Sequence, residues 1–143
     1  MIKKVVLDAS VALKWFFPHE ENSISAVKIL KMAKLNQIKV FVPQIFFFEI
    51  ANVVKTKSNS TSKDVLKIID KIFSLDLVSQ ATDKKLLTKT NFYAQKNNLT
   101  IYDASYLATA KFNKAVLVTA DNKMVKKTNL KFVKTLRSFI KEN

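Results

Sequence analysis

The sequence lacks several residue types on which common enzyme chemistries depend. It contains no cysteine, no glycine and a single histidine, His19. The missing cysteine excludes a disulfide, a thiol nucleophile and a cysteine-built zinc site. The missing glycine excludes a phosphate-binding P-loop and a dinucleotide fingerprint, and one histidine leaves no H-E-x-x-H motif and makes a hydrolase triad improbable. The chemistry open to this chain therefore depends on carboxylates, hydroxyls, amides and lysines.

Long apolar runs are also missing. No run reaches the length that a bilayer requires, and Asp8 comes too early for a signal peptide. At 143 residues and 48% hydrophobic composition, the chain suits one domain over residues 1–143 with a sizeable core. We therefore expect a cytoplasmic protein that does not engage a membrane.

Positive charge is abundant, with a formal net charge of +14. Such a charge favours a polyanionic partner, because lysines that neutralise phosphates release counterions and draw a protein to nucleic acid. The alternative is a lysine-rich surface that is merely solvated. Only Arg137 is arginine, so bidentate reading of bases is nearly impossible and the backbone and shape of a nucleic acid would be read instead.

Short β-branched runs alternate along the chain with amphipathic runs of helical period. This alternation predicts an α/β fold with a parallel sheet and helices on both faces. A polar stretch over residues 55–62 is the best candidate for a mobile loop. Strands are predicted over residues 3–7, 38–42, 76–78, 115–120 and near 132–133, and helices over 10–17, 22–35, 43–54, 64–73, 82–96, 101–112 and 123–127.

Three acids are predicted to meet at the carboxyl edge of the sheet. Asp8 ends the first strand and Asp121 follows the strand that begins at Ala115, and open α/β folds bind their ligands at this edge. Asp103 begins the helix before that strand. About twelve helical residues travel roughly 18 Å and about five strand residues travel roughly 17 Å back, so Asp103 and Asp121 should lie at the same level.

Glu49 is the one charge in a helix that is apolar nearly all round. An ionised carboxylate there is costly unless a cation or hydrogen-bond donors compensate it, although it could also reach solvent or pair with a lysine. Glu49 lies about two turns into its helix, so that helix would have to lean across the sheet edge to bring it to the other acids. The neighbouring Phe46, Phe47 and Phe48 cannot all face one side, and an outward one would suit a dimer or partner surface.

Clustered carboxylates repel one another, and a hard divalent cation removes that cost. Ligands made only of oxygen select Mg²⁺ or Mn²⁺ over zinc, and such an ion supports hydrolysis of a phosphodiester. Ser10, Thr119 and Asn122 are the residues expected to orient the ligands or bind waters. An ordinary helix cap is the alternative role for Ser10.

Four segments of the chain resemble the conserved blocks of PIN-domain proteins, specifically VapC-type toxins of prokaryotic toxin–antitoxin pairs. The blocks occur in the right order and span nearly the whole chain. They are residues 8–16 (DASVALKWF), 48–53 (FEIANV), 102–108 (YDASYLA) and 118–121 (VTAD).

This resemblance implies a PIN-like three-layer α/β/α domain with a mostly parallel sheet. It implies an endoribonuclease dependent on Mg²⁺ or Mn²⁺, with metal ligands and catalytic residues at Asp8, Glu49, Asp103 and Asp121, that leaves a 5′ phosphate on RNA. It also implies a homodimer and a cognate antitoxin that inserts a segment at the site. His19 departs from the acids that usually follow the first block.

Two rival functions are open at this point. A PIN-like module could hold RNA or a partner without cutting, although four intact acids argue against it. A phosphatase or receiver domain could use Asp8 as a nucleophile, but residues 8–10 lack the second acid that such a phosphatase needs, and no acid pair ends the first strand as a receiver requires.

Overall fold

The computed structural model describes residues 1–57 and 59–143, and its five strands form a single sheet. The strand order is β3-β2-β1-β4-β5, and every neighbouring pair is parallel. The strands are β1 (Lys3–Leu7), β2 (Ile38–Pro43), β3 (Leu77–Gln80), β4 (Val116–Thr119) and β5 (Val133–Thr135).

Helices cover both faces of this sheet. They are α1 (Ala9–Leu13), α2 (Ser23–Lys34), α3 (Ile45–Thr56), α4 (Ser62–Phe73), α5 (Lys84–Asn97), α6 (Ile101–Asn113), α7 (Asn122–Thr128) and α8 (Leu136–Glu142).

The direction of strand addition reverses after β3, and this reversal explains the layers. Right-handed crossovers place α1 to α4 on one face and α5 to α7 on the other. The predicted α/β/α architecture is confirmed, and the sheet is entirely parallel within the described residues. Strand β1 lies at its centre with Val5, Val6 and Leu7 fully buried, as expected for a strand covered by helices on both sides.

Strand register sets the position of the site. Leu7 pairs with Val118, and the Asp8 N–H donates to the Val118 carbonyl at 3.0 Å. Strands β1 and β4 therefore end side by side, so the residues that follow them emerge at one edge of the sheet. This is the carboxyl edge, where parallel α/β folds place ligands.

Two predicted helix boundaries are wrong. Pro43 does not begin a helix, because it pairs with Gln80 as the last residue of β2, and a strand end tolerates the missing N–H of proline. The first helix ends at Leu13 rather than before Pro18. Lys14, Trp15 and Phe16 continue with bonds to the carbonyl three residues back, which tighten the chain into turns.

The predicted mobile loop is shorter than expected, because α3 extends to Thr56 and α4 begins at Ser62. Ser58, within this loop, lies outside the described residues.

Within residues 1–57 and 59–143, no helix is long and apolar enough to cross a bilayer. One core cluster joins the buried residues of the sheet and its helices, while a single domain over residues 1–143 stays a prediction.

Candidate active site

Asp8 is the most buried acid of the carboxyl edge, with 7% of its surface exposed. It occupies the position before α1, but its side chain caps no helix N–H. Instead its Oδ2 accepts hydrogen bonds from Ser10 Oγ at 2.8 Å and Thr119 Oγ1 at 2.7 Å. Burial raises the pKa of the Asp8 carboxyl and the charge of Asp103 adds to the rise, whereas the two hydroxyls oppose it.

The two hydroxyls on Asp8 are themselves held by the turn after β4. Ser10 Oγ accepts from the Ala120 N–H at 3.1 Å, and Thr119 Oγ1 accepts from the Asp121 N–H at 3.0 Å. Each hydroxyl therefore accepts from the backbone and donates to the carboxylate, which fixes its direction. Ser10 lies within α1 and does not cap it, so its predicted alternative role is wrong.

Asp103 lies in the first turn of α6 and is half-buried. Its N–H donates to the Oγ1 of Thr100, the residue that caps the helix, at 3.0 Å. Burial raises the pKa of Asp103 and the charge of Asp121 raises it further, while the Thr100 hydroxyl and the Lys127 ammonium oppose the rise. The two acids that the chain geometry places at one level are thus electrostatic neighbours.

Glu49 reaches the same cluster from α3. Burial raises its pKa to about 7, and the charges of Asp8 and Asp103 contribute to the rise. Glu49 therefore lies close enough to Asp8 and Asp103 to interact with their charges. The run beside it divides as expected, with Phe46 buried, Phe47 half-buried and Phe48 74% exposed.

Tyr106 is a further residue of this region that sequence reasoning missed. Its hydroxyl is buried and, among the described residues, makes no hydrogen bond of good geometry. Burial raises its pKa above the usual range, as do the charges of Asp8 and Glu49, so the hydroxyl remains a neutral donor beside them. The spacing from Asp103 could have revealed it, because residues three apart on a helix share a face.

Asp121 and Asn122 are the exposed members of the set. Asp121 caps α7, and its Oδ1 accepts from the N–H groups of Lys123 at 2.9 Å and Met124 at 3.4 Å. Asn122 begins α7, and its side chain makes no hydrogen bond to an acid in the part of the chain that the structure describes. His19 lies in an exposed turn after α1.

The donor chemistry at this edge fits a hard divalent cation. Asp8, Glu49, Asp103 and Asp121 offer only carboxylate oxygens, the ligands that Mg²⁺ and Mn²⁺ prefer. Burial, and after it the charges of neighbouring acids, raise the pKa values of Asp8, Glu49 and Asp103, and a bound cation would offset the cost of ionising them. Within residues 1–57 and 59–143, no three acidic or histidine side chains lie close enough together in this structure to hold a metal ion.

Fold and site together define an all-parallel α/β domain that gathers acidic side chains at the carboxyl edge of its sheet. The family model for the PIN domain matches residues 5–130 of this chain. The chain therefore belongs to the PIN domain family, and the resemblance seen in its sequence is confirmed at that level. No curated protein is significantly similar to it.

Several solved structures share this fold. They include a toxin–antitoxin complex from Klebsiella pneumoniae, with a TM-score of 0.68, 16% identity and coverage of 92% of this chain and 97% of that one. DNA-bound VapBC from Salmonella typhimurium gives a TM-score of 0.66 at 16% identity over 95% and 99% of the two chains. VapC20 of Mycobacterium tuberculosis, a sarcin-ricin loop cleaving toxin, gives 0.68 at 8% identity over 85% and 93%. At such identities the likeness shows the fold alone.

Proposed function

We propose that this chain is a Mg²⁺- or Mn²⁺-dependent endoribonuclease that acts in the cytoplasm as the toxin of a toxin–antitoxin pair. The observation that carries the proposal is the crowding of Asp8, Glu49 and Asp103, whose carboxyl pKa values all lie above their usual range. An edge that holds carboxylates at such a cost is typical of a site that awaits a cation. PIN-domain membership and the toxins among the structural neighbours support the same choice.

Asp8, Glu49, Asp103 and Asp121 are the residues that would hold the cation. The chemistry supplied by a bound Mg²⁺ or Mn²⁺ is activation of water and stabilisation of charge on a phosphoryl oxygen. Ser10 and Thr119 hold the Asp8 carboxylate in one orientation through their bonds to Oδ2. Asn122, at the exposed start of α7, would bind waters or substrate at the rim.

Burial of the acids, the Tyr106 hydroxyl and the positive charge of the chain would each assist the proposed reaction. Burial of Asp8 and partial burial of Glu49 and Asp103 lower the local dielectric and strengthen their hold on a cation. The neutral Tyr106 hydroxyl, beside Asp8 and Glu49, can donate to a carboxylate oxygen that turns away from the cation. The surplus of lysine elsewhere attracts the RNA backbone, since the formal net charge is +14.

Cleavage of RNA by site variants tests this function directly. We expect the protein to cut RNA with Mn²⁺ or Mg²⁺, to lose that activity with EDTA, and to lose it in Asp8→Asn. Asp70→Asn is a matched control, because it removes an exposed carboxylate of α4 outside the site. Equal activity in the Asp8 and Asp70 variants would overturn the assignment of the site.

We propose a homodimer, and the apolar surface that the fold leaves exposed supports it. Phe48, Leu87, Ile101 and Tyr102 are all exposed and line one groove between the starts of α3, α5 and α6. A second copy would cover these side chains, which are costly to leave in water. We expect sedimentation of the 16.3 kDa chain to show a dimer, and Phe48→Ser to shift it towards monomer. A monomeric wild type would contradict this part of the proposal.

We propose that the antitoxin binds in a second groove, between α3 and α4. Its lining is apolar and includes Phe47, Phe48, Ile69, Ile72 and Phe73, with Phe73 stacked on Phe47 at 4.7 Å between ring centroids. An apolar segment of the antitoxin would suit this groove, and acidic residues in the antitoxin would suit the net positive charge of the chain. Expression of this chain together with the product of a short neighbouring gene should abolish its cleavage of RNA. A stable complex of the two proteins that still cleaves RNA would contradict the proposal that the partner is an inhibitory antitoxin.

The alternative function is a PIN-like module that binds RNA or a partner without cutting. The observation that favours it is the absence of a ready-made metal group among the described acids. RNA binding that survives EDTA, together with no cleavage in any divalent metal, would establish this alternative.

A further inference from the structure

Positive charge is concentrated between residues 84 and 134, which hold eleven lysines and two acids. Between residues 84 and 134 the only acids are Asp103 and Asp121, which belong to the proposed site, while lysines are frequent. The ion pairs of the described residues are Lys14–Glu20, Lys57–Glu20 and Lys134–Glu142. Within the described chain, the lysines of α5, α6 and α7 therefore form no ion pair within 4.0 Å, and Lys127 is the one that interacts at longer range with an acid, Asp103.

Four residues of α5 form a stripe along one side of that helix. Lys85, Lys89, Phe92 and Lys96 are spaced by four, three and four residues, and all four are exposed. At about 100° per residue their side chains fall within a sector of about 60°. At about 1.5 Å per residue the stripe is roughly 16 Å long.

Phe92 lies at the centre of the stripe between two cations. The Lys89 Nζ is 4.8 Å and the Lys96 Nζ 5.6 Å from its ring centroid, and 49% of Phe92 is exposed. An exposed aromatic ring flanked by ammonium groups is the arrangement with which proteins hold single-stranded nucleic acid. A phosphate draws a lysine from the ring, and the ring face is then free to stack on a base.

The stripe leads to the acidic edge of the sheet. Lys96 lies two residues before Asn98, the residue that ends α5, and Lys127 of α7 donates to the Asn98 carbonyl at 2.7 Å. Two residues further on, Thr100 caps α6 and accepts from the Asp103 N–H. Lys127 therefore stands between the end of the stripe and the proposed site.

The stripe is also separate from the groove assigned to the second copy. On α5 that groove is lined by Leu86, Leu87 and Thr90, which lie about 60°, 160° and 100° round the helix from Lys89. Dimerisation through the groove therefore leaves the stripe accessible.

We propose that the stripe formed by Lys85, Lys89, Phe92 and Lys96 binds an unpaired segment of the RNA substrate and leads it past Lys127 to the acidic edge. The lysines neutralise phosphates and Phe92 stacks on a base. A single strand is required, because bases paired in a duplex offer no free face to the ring. This inference rests on the proposed function and specifies the path of its substrate.

The test measures binding of a short, fluorescein-labelled, unstructured oligoribonucleotide in EDTA, so that cleavage does not interfere. We expect the double variant Lys89→Gln/Lys96→Gln to weaken binding about tenfold and to reduce the salt dependence, as log Kd against log salt, by about 1.4. The matched control Lys28→Gln/Lys31→Gln removes the same charge from exposed positions of α2, on the other face of the sheet. It should bind within about twofold of the wild type.

Substitutions of Phe92 separate stacking from charge. Phe92→Leu should weaken binding of the single strand about tenfold, whereas Phe92→Trp should preserve it. Neither should alter the weaker binding of a matched RNA duplex. Thermal melting within a few degrees of the wild type confirms that each variant is folded.

The outcomes distinguish the substrate path from the proposed function. Equal weakening by the α5 and α2 lysine variants, or unchanged binding in Phe92→Leu, would overturn the path even if the wild type cuts RNA. If the α5 variants alone lose binding while the wild type never cuts RNA in any metal, the path stands and the nuclease function falls. A wild type that does not bind the oligoribonucleotide overturns the path.

Discussion

The starts of α4 and α6 carry the same local motif and use it in opposite ways. Thr61 and Asp64 begin α4 with the spacing that Thr100 and Asp103 have at α6. At α4 the motif is a complete capping box, because the Asp64 carboxylate accepts from the Thr61 N–H at 2.8 Å and the Asp64 N–H donates to Thr61 Oγ1 at 3.2 Å. At α6, among the bonds of the described residues, only the Asp103 N–H to Thr100 Oγ1 half is formed.

The electrostatics of the two acids differ accordingly. Bonds to the Thr61 backbone and hydroxyl lower the pKa of Asp64. Burial and the charge of Asp121 instead raise the pKa of Asp103. The threonine and the aspartate have the same spacing in both places, so the difference arises from where the fold puts each helix start. An acid that caps a helix in water stabilises it, whereas an acid at the carboxyl edge is ionised at a cost that protonation or a bound cation would relieve.

The largest difference between the two acids should appear in catalysis. Asp103→Asn should reduce the rate of RNA cleavage on the order of a thousandfold, because it removes a proposed ligand of the catalytic cation. Asp64→Asn, the matched change at α4, should leave the rate within about twofold. Single-turnover cleavage with Mn²⁺ in excess measures both. A similar loss in the two variants would show that the Asp103 effect reflects helix capping and not the site.

Metal binding should separate the two helix starts as well. Mn²⁺ at about a hundred times its Kd should stabilise the wild type by about 2.7 kcal/mol, or about 10 °C in melting temperature for a chain of this size. The gain should persist in Asp64→Asn and largely vanish in Asp103→Asn. Melting curves with Mn²⁺ and with EDTA measure it. No shift in the wild type would contradict a cation site at this edge.

Much of the site and of the fold could be predicted from the sequence. Strand ends at Asp8 and before Asp121, with the lengths of α6 and β4, were enough to predict that Asp8, Asp103 and Asp121 share one edge. This worked because parallel strands fix the direction of their ends. Buried apolar runs and their alternation likewise predicted the layers of the fold.

Other parts of the site depend on tertiary packing and could not be predicted locally. The reach of Glu49 is set by how α3 crosses the sheet edge, and no residue within α3 specifies that angle. The bonds of Ser10 and Thr119 to Asp8 join residues more than a hundred positions apart in one case. Lys127 approaches Asp103 only because α7 folds back on the end of α5.

The pH dependence of stability should have opposite signs for Glu49, whose pKa is raised, and for Asp64, whose pKa is lowered. The pKa of Glu49 is raised from 4.5 to about 7 in the folded chain. The folded chain is therefore most stable below pH 4.5, where Glu49 is protonated, and it loses stability as the pH rises from there through 7. The full shift corresponds to about 3 kcal/mol, which screening at this half-exposed side chain reduces to about 1 kcal/mol. In EDTA, Glu49→Gln should therefore exceed the wild type in stability by about 1 kcal/mol at pH 8 and lose that advantage below pH 4.5.

Asp64→Asn provides the control of opposite sign for that series. The lowered pKa of Asp64 stabilises the folded chain above 3.8, and this contribution is lost as the pH falls through the lower folded value. The variant should thus be less stable than the wild type at pH 7 and equal to it in strong acid. Chemical denaturation across the pH range measures both variants, and parallel profiles would contradict the proposed difference between the acids.

The smallest expected difference concerns the threonines that cap the two helices. Thr61→Ala removes the two bonds that the Thr61 hydroxyl makes at α4, one with the Asp64 N–H and one with the Asp64 carboxylate, and should cost about 1 kcal/mol. Thr100→Ala removes a single bond at α6 and should cost about half as much. It should also raise the pKa of Asp103 further, because the Thr100 hydroxyl opposes the rise. Urea denaturation in EDTA gives the two losses, with Thr→Ser at each position as the conservative control. A larger loss of stability in Thr100→Ala than in Thr61→Ala would contradict this prediction. It would mean that the cap stabilises α6 more than burial in the core does.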